Sequence, residues 1–183
     1  MEHKTQTATL AGGCFWCLEA VYQQVSGVLS VVSGYAGGSV PNPSYEAVCG
    51  GLTGHTETVQ VKFDPKVISY REILEIFFYI HDPTTLNRQG NDHGTQYRSV
   101  IFYSDDDQRK TAEDTKAKFA PKYWDDPVIT EIVPLEKFWE AEKYHQNYFN
   151  DHPEQAYCQV IINPKLQKFR AKFESKLKPD ANA

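Results

Sequence analysis

The sequence predicts an α+β fold, a two-layer sandwich in which a ferredoxin-like mixed or antiparallel sheet carries helices on one face. Two observations predict it. Segments of β-branched or alternating residues are interleaved with segments of helical apolar spacing, and the first part of the chain follows the order β-α-β-β-α-β of a split βαβ unit. The 183 residues fit one domain, 1–183, with a core at about 7–150 and a C-terminal extension at about 151–183 that ends in a helix.

Local patterns predict the first elements. The apolar stretch at 8–11 is a predicted strand that ends in two glycines, and apolar residues at helical spacing predict a helix from Cys14 to Val25. The segment 28–35 is rich in β-branched residues, and the segment 56–63 alternates polar with apolar side chains. Both are therefore predicted strands, the second one half-buried.

The later elements begin with a capping signal. Ser69 and Glu72 form a capping box in front of an apolar helical face, which predicts the start of a helix. After a polar loop, the further predicted elements are a strand at 99–103, a helix from 105 to about 119, a strand near 130–133, a helix around 141–148 and a helix within 164–177. We expect the last helix to pack its apolar face on the domain and to leave its lysines in solvent, rather than to lie on a membrane.

The composition narrows the functional classes. A formal net charge of −5 and the lack of a long basic cluster disfavour a nucleic-acid partner. The polar residues 1–9 do not resemble a signal peptide, and no apolar stretch approaches transmembrane length, so we expect a cytoplasmic protein without a membrane partner. In that compartment we expect the four cysteines to serve chemistry rather than structural disulfides: Cys14, Cys17, Cys49 and Cys158.

The motif Gly-Gly-Cys-Phe-Trp-Cys at 12–17 places a thiol at the start of a predicted helix. Unpaired backbone N–H groups and the helix dipole favour negative charge there, so we expect Cys14 to have a lowered pKa and to act as a nucleophile. Phe15 and Trp16 would then shape an apolar pocket beside it. Two alternatives stay open: a thioredoxin-like dithiol pair formed with Cys17, and a zinc site completed by Cys49, His55 or Cys158.

Two further clusters carry polar side chains with chemical potential. Glu57 begins the strand 56–63 on the same side as its apolar residues. Apolar surroundings raise the pKa of a carboxyl, which makes Glu57 a candidate acid; the alternative is a strand-end glutamate that faces water. In the polar loop at 87–98, Asp92 or Tyr97 would donate or orient hydrogen bonds, and His93 is a candidate base or a simple loop histidine.

Together these clusters resemble the peptide methionine sulfoxide reductase A family, which is specific for the S epimer of the sulfoxide. The resemblance extends in collinear order from about Ala8 to Cys158, and its blocks are Gly-Cys-Phe-Trp at 13–16, Gly-Tyr-Ala-Gly-Gly at 34–38, Tyr45 with 53–57, 89–99 and Gln-Ala-Tyr-Cys at 155–158. It implies an enzyme that repairs oxidised proteins by reducing methionine-S-sulfoxide, free or in proteins. It implies no metal or organic cofactor, because thiols supply the electrons.

The resemblance also implies a role for each matching residue. Cys14 would attack the sulfoxide sulfur as a thiolate, and Glu57 would protonate the oxygen. Three side chains would fix that oxygen through hydrogen bonds or an ordered water: Tyr45, Asp92 and Tyr97. Phe15 and Trp16 would hold the S-methyl group. Methionine would leave, and Cys14 would become a sulfenic acid, a species that condenses readily with a second thiol.

The resolving thiol is the point at which the chain departs from the commonest family pattern. Many relatives carry one or two cysteines in a Gly-rich C-terminal tail, whereas here an apolar stretch follows Cys158. Cys158 matches the family's resolving position and is the favoured resolver, whereas Cys17, which lies one helical turn from Cys14 within disulfide reach, stays open as the alternative. Thioredoxin would reduce the disulfide by exchange, and Cys49 is expected to be structural. The alternative functions are a general dithiol oxidoreductase and a redox-sensing or zinc-binding module.

Overall fold

In the computed structural model, which describes residues 4–179, the chain combines eight strands with six α-helices. The strands are β1 (Gln6–Ala11), β2 (Val28–Ala36), β3 (Thr56–Phe63), β4 (Arg88–Gln89), β5 (Asp92–His93), β6 (Val100–Tyr103), β7 (Glu131–Pro134) and β8 (Phe138–Glu140). The helices are α1 (Phe15–Tyr22), α2 (Tyr45–Cys49), α3 (Tyr70–Ile80), α4 (Asp106–Lys118), α5 (Tyr148–Asp151) and α6 (Asn163–Lys172). Short 3₁₀ turns lie at Thr95–Tyr97, Ala120–Lys122, Lys143–His145 and Glu174–Lys176, and a π-helical turn spans Cys158–Ile162.

Six strands form one mixed sheet in the spatial order β7-β6-β1-β3-β2-β8. Neighbouring strands are antiparallel except β6 and β7, which run parallel. The predicted α+β class with a mixed sheet is therefore confirmed. β3 lies between β1 and β2, which α1 connects, so the sheet brings together segments that are distant in the sequence.

The main core lies between one face of the sheet and the helices. It contains fully buried side chains from strands and helices alike, among them Leu10, Leu18, Phe63, Phe77 and Phe169. Burial of each such large side chain stabilises the fold by roughly 1.5–3 kcal/mol. A smaller cluster contains Ala11, Val100 and Phe102, and it lies on the other face because successive strand residues point to opposite sides. Within residues 4–179, no helix is long and apolar enough to cross a membrane.

A local capping signal accounts for the start of α3. Ser69 has an extended backbone, and its hydroxyl oxygen accepts a hydrogen bond from the N–H of Glu72 at 3.1 Å. The same hydroxyl donates to Oε1 of Glu72 at 3.2 Å. The predicted helix start is confirmed, and the apolar face of the helix is buried as expected: Ile73, Leu74, Phe77 and Phe78.

The prediction of a helix around 141–148 is wrong. Only a 3₁₀ turn lies at 143–145, and α5 begins at Tyr148. The side chain of Gln146 accepts a hydrogen bond from the N–H of Ser33 at 2.9 Å and donates to the carbonyl of Ser33 at 2.8 Å. These bonds hold the segment beside β2 in place of helical hydrogen bonds, and Asn147 then turns the chain with a φ of 58°.

Other element boundaries differ less from the prediction. α1 begins at Phe15 rather than Cys14 and ends at Tyr22, and α2 and β8 lie in segments without a predicted helix or strand. The predicted helix within 164–177 is α6 followed by a 3₁₀ turn. Its apolar residues are buried, so this face packs on the domain as expected: Leu166, Phe169, Phe173 and Leu177.

Candidate active site

The candidate site lies at the edge of the sheet where β1 ends and where β3 and β6 begin. Antiparallel pairing places Leu10 opposite Val59 and Ala11 opposite Val100. The segment after β1, the start of β3 and the turn before β6 are therefore neighbours, although the sequence separates them widely. In that order, these segments carry Cys14, Glu57 and Tyr97.

A glycine turn brings the chain from β1 into α1. Gly13 has a φ of +89°, and a Cβ atom at this position would lie 2.6 Å from Cγ of Gln89. Both the left-handed backbone and the lack of space require glycine here. Cys14 follows as the N-cap residue of α1, with an extended backbone and a side chain that is 7% exposed. The turn therefore holds the thiol at the N-terminus of the helix.

Cys14 and Cys17 form a buried thiol pair. The N–H of Cys17 donates to the carbonyl of Cys14 at 3.1 Å, and each thiol shifts the pKa of the other. Burial raises the pKa of Cys14, so the expectation of a lowered pKa at this residue is wrong for the unliganded site. The interaction with Cys14 instead lowers the pKa of Cys17 to about 7, and the positive charge of Lys165 acts in the same direction. The pair thus holds one readily formed thiolate next to a protonated thiol.

Glu57 faces the interior, as expected, and the alternative of a glutamate that faces water is wrong. It is 1% exposed, and its Oε1 accepts a hydrogen bond from the N–H of Phe15 at 3.2 Å. Its Oε2 has no hydrogen-bond partner among the described residues. Burial raises the pKa of Glu57 to about 8, although the bond from Phe15 opposes this change. The carboxyl is therefore mainly protonated at neutral pH and can donate its proton.

Aromatic rings line the space beside the thiol pair. Phe15 is fully buried, and its ring centroid lies 6.2 Å from that of Trp16 and 6.4 Å from that of Tyr45. The rings of Trp16 and Tyr45 are 6.5 Å apart. These three residues, singled out in the sequence, come together and form an apolar wall.

Two residues that the sequence analysis missed hold Trp16 in place. The ring of Tyr148 stacks on the indole at 3.8 Å with an interplanar angle of 7°. The indole Nε1–H of Trp16 donates to Nδ1 of His145 at 3.1 Å. This bond requires the neutral His145 tautomer with its proton on Nε2, and burial lowers the pKa of His145, which favours that neutral form. The three ring-bearing residues within 144–148, Tyr144, His145 and Tyr148, are the sequence signal that could have identified both residues.

Asp92 is connected to the thiol pair through Tyr157, a residue for which the sequence predicted no role. Its Oδ2 accepts a hydrogen bond from the hydroxyl of Tyr157 at 2.7 Å, and that hydroxyl lies 3.8 Å from Sγ of Cys17. Asp92 is thus connected to Cys17 rather than directly to Cys14. Tyr157 contributes to the lowered pKa of Cys17 through this hydrogen bond.

Tyr45 and Tyr97 lie close enough to the acid for Glu57 to affect the pKa of each. Both are partly buried, and burial raises the pKa of each hydroxyl, with the nearby Glu57 as the second cause in both cases. Both hydroxyls therefore stay protonated and serve as hydrogen-bond donors in the field of the acid.

The remaining cysteines lie at the periphery of the site. Cys158 is fully buried after Tyr157, and burial raises its pKa. Cys49 is exposed at the end of α2. His93 is exposed in β5. Among the described residues, no three His, Cys, Asp or Glu side chains are placed to hold a metal ion.

Comparison with known proteins gives this site a family. The model of the family described as peptide methionine sulfoxide reductase matches residues 6–177. A peptide methionine sulfoxide reductase MsrA of Polynucleobacter asymbioticus is 61% identical over 175 residues, which cover 95% of this chain and 92% of that protein.

Solved structures agree with the sequence comparison. The reduced form of Mxr1 from Saccharomyces cerevisiae has a TM-score of 0.79 at 42% identity and covers 85% of this chain and 90% of that one. Mxr1 in complex with Trx2 has a TM-score of 0.57 at 29% identity, covering 81% of this chain and 89% of that one. The family model matches nearly the whole length of the chain, including the buried acid and the thiol of the candidate site. This chain therefore belongs to the peptide methionine sulfoxide reductase family.

Proposed function

We propose that this chain reduces methionine-S-sulfoxide, free or in proteins, to methionine and so repairs oxidised proteins. The observation that carries this proposal is the buried acid Glu57, mainly protonated at neutral pH, beside the thiol pair of Cys14 and Cys17 and an aromatic wall. A sulfoxide needs these three features: a proton for its oxygen, a nucleophile for its sulfur and apolar contact for its methyl group.

In the first step, Cys14 attacks the sulfoxide sulfur. The thiolate of Cys17 accepts the proton of Cys14, one helical turn away, so the attacking sulfur becomes the thiolate only as it is needed. Glu57 gives its proton to the sulfoxide oxygen, which makes the sulfur electrophilic. An S–S bond forms between Cys14 and the sulfoxide sulfur. The protonated oxygen then shifts to the sulfur of Cys14 while this S–S bond and the original S–O bond break, so methionine leaves and Cys14 becomes a sulfenic acid.

The polar side chains position the oxygen, and the rings position the methyl group. Tyr45 and Tyr97 donate hydrogen bonds toward the oxygen, while Asp92 acts through Tyr157 or an ordered water. Phe15 and Trp16 contact the S-methyl group. The other epimer, with its sulfur in the same place, would instead turn its polar oxygen toward these rings, which is unfavourable.

We assign the resolving role to Cys17 ahead of Cys158. Cys17 lies one helical turn from Cys14 and has a pKa of about 7, so it readily gives up the proton it took from Cys14. Its thiolate attacks the sulfenic sulfur, the disulfide forms, and the hydroxyl leaves with that proton as water. Cys158 is fully buried at the start of the π-helical turn, and its raised pKa disfavours the thiolate. Cys158 is nevertheless the second candidate, because it follows Tyr157, whose hydroxyl contacts Cys17.

Thioredoxin is the proposed reductant of the resulting disulfide. The complex of the similar protein Mxr1 with Trx2 supports this proposal. The further proposed properties are a cytoplasmic location and the lack of a nucleic-acid or membrane partner, for which the net charge of −5 and the polar composition argue.

We also propose one domain, 1–183, whose inner strands β6-β1-β3-β2 are of ferredoxin-like type, with the core at about 7–150 and the extension at about 151–183. Residues 1–3 and 180–183 lie outside the described residues. The packing of α6 on α1 and α3 supports a single core.

Single-turnover release of methionine from separated sulfoxide epimers tests the function. The wild type should release methionine from the S epimer and lose two free thiols per methionine. Cys17→Ser should release methionine more slowly, because Cys14 loses its proton acceptor, and should lose only one thiol per methionine, because Cys14 stays a sulfenic acid. Cys158→Ser should behave as the wild type. A wild type that releases no methionine from the S epimer would refute the proposed function. Loss of two thiols in Cys17→Ser would refute the assignment of the resolver.

A further inference from the structure

A second buried carboxyl, Glu19, has no place in the chemistry described above. It lies on α1 and is 1% exposed, and no Lys, Arg or His of the described residues forms an ion pair with it. A buried carboxyl without a cation is costly unless hydrogen bonds compensate. The hydrogen bonds of Glu19 must therefore compensate for the cost of burying its carboxyl.

The carboxyl binds the segment that the sequence analysis mispredicted. Oε1 of Glu19 accepts a hydrogen bond from the backbone N–H of Tyr148 at 3.2 Å, and Oε2 accepts one from the hydroxyl of Ser33 at 3.3 Å. Tyr148 is the first residue of α5, and the side chain of its N-cap residue, Asn147, makes no capping bond. A glutamate of another helix thus serves as the cap of α5.

The same helix also holds the other end of Tyr148. Trp16 and Glu19 are three positions apart on α1, so their side chains leave the same face of the helix. The ring of Tyr148 stacks on Trp16 at 3.8 Å while its backbone binds Glu19. One helix face therefore fixes both the ring and the main chain of Tyr148.

We propose that Glu19 is a positioning residue that sets the orientation of Trp16 in the methyl-binding wall by anchoring Tyr148. The proposal rests on the proposed function only where it calls this wall the methyl pocket; the anchoring itself is independent of the substrate. Without the carboxyl, Tyr148 loses its main-chain anchor, and the indole loses its stacked neighbour. Chemistry at the thiols should remain, since the side chain of Glu19 hydrogen-bonds to Ser33 and Tyr148 and not to Cys14 or Cys17.

The test compares Glu19→Gln, which keeps an acceptor oxygen for the N–H of Tyr148, with Glu19→Leu, which removes it. For methionine-S-sulfoxide we expect Glu19→Leu to lower kcat/KM by about tenfold or more, mainly through KM, since a change of one small group in an apolar pocket is worth roughly 10- to 200-fold. Glu19→Gln should stay within about threefold of the wild type. The rate at which a dithiol reduces the oxidised enzyme should be unchanged in both variants. Ser33→Ala is the matched control, because it removes the other hydrogen bond of Glu19 and leaves Tyr148 anchored.

A second readout does not depend on activity. In a Trp124→Phe, Trp139→Phe background, the fluorescence anisotropy of the single remaining tryptophan should fall in Glu19→Leu and not in Ser33→Ala. Tyr148→Leu should reproduce the defect in KM, and adding Glu19→Leu to it should cost little more, because both changes act through the same contact. This variant keeps the test open if Glu19→Leu does not fold.

Two outcomes would overturn the inference: unchanged anisotropy and kcat/KM in a folded Glu19→Leu protein, or full additivity of Glu19→Leu with Tyr148→Leu. A wild type that is inactive on the S epimer would instead refute the proposed function. In that case a fall in anisotropy would still support the anchoring of Trp16 by Glu19.

Discussion

Replacement of Glu57 by glutamine should reduce activity and increase the free energy of unfolding. The gain in stability should depend on pH. Glutamine keeps the shape of the side chain and an acceptor for the N–H of Phe15, but it has no proton to give. With a pKa of about 8, the wild-type carboxyl is about 90% protonated at pH 7. Loss of a general acid costs typically 10²–10⁴-fold, so single-turnover methionine release by Glu57→Gln should fall by about that factor.

The gain in stability follows from the same raised pKa. In the unfolded chain Glu57 ionises above its ordinary value of 4.5, whereas in the folded protein it keeps its proton up to about 8. The folded state therefore binds more protons, and the free energy of unfolding of the wild type falls as pH rises between these values, by about 1.4 kcal/mol per pH unit. At pH 7 the contribution that disfavours folding is about 3 kcal/mol, and Glu57→Gln removes it.

Urea unfolding at pH 5, 6, 7 and 8 measures this difference. The variant should gain on the wild type with each step, and the gain should level off above pH 8. Glu136→Gln, an exchange at an exposed glutamate, is the matched control and should show no such trend. Parallel stability curves for the wild type and Glu57→Gln would refute a protonated Glu57. Unchanged methionine release would refute its role as the acid and would favour simple dithiol exchange, which needs no acid.

Three further changes have defined outcomes. Gly13→Ala should lower the free energy of unfolding, measured in urea, by about 1–3 kcal/mol, because the new Cβ would meet Gln89 in a left-handed turn. Gly90 is the control: its φ is +54°, but no atom lies within 4 Å of a Cβ there, so Gly90→Ala should cost about 1 kcal/mol at most. Tyr157→Phe removes a hydrogen bond that lowers the pKa of Cys17, so the pH midpoint of iodoacetamide alkylation, about 7 in the wild type, should move upward; a downward movement would contradict this. His145→Leu leaves the indole N–H of the neighbouring tryptophan without its acceptor and should raise KM for the sulfoxide about tenfold, with little change in kcat.

Elements with local causes were predictable from the sequence. β3 has the predicted bounds, because alternating polar and apolar residues are typical of a strand. The prediction that it is half-buried is wrong, since Thr56 and Thr58 on the polar face are fully buried as well. α3 begins after Ser69, because the cap and its partner are three residues apart. The segment around 141–148 was not predictable in this way: Gln146 binds the backbone of Ser33, which is 113 positions away in the chain.

The site divides along the same line. Cys14, Glu57, Phe15 and Trp16 stand out in the sequence because each belongs to a short motif with a recognisable pattern. The partners that orient Trp16 come from a segment more than 120 positions later, and no local pattern connects them. Strand register, not sequence proximity, brings the segment of Tyr97 to the acid.

The sequence by itself therefore determined the α+β class, the family and the residues that can carry the chemistry, since these depend on residue type and short-range spacing. Only the tertiary structure decided which groups are ionised. A helix N-terminus predicts a low pKa for Cys14, yet burial raises that pKa, and the interaction with Cys14 makes Cys17 the thiol with the lower one. Ionisation depends on the water and the charges that surround a group in three dimensions, and these arise only when the distant segments of the chain have packed together.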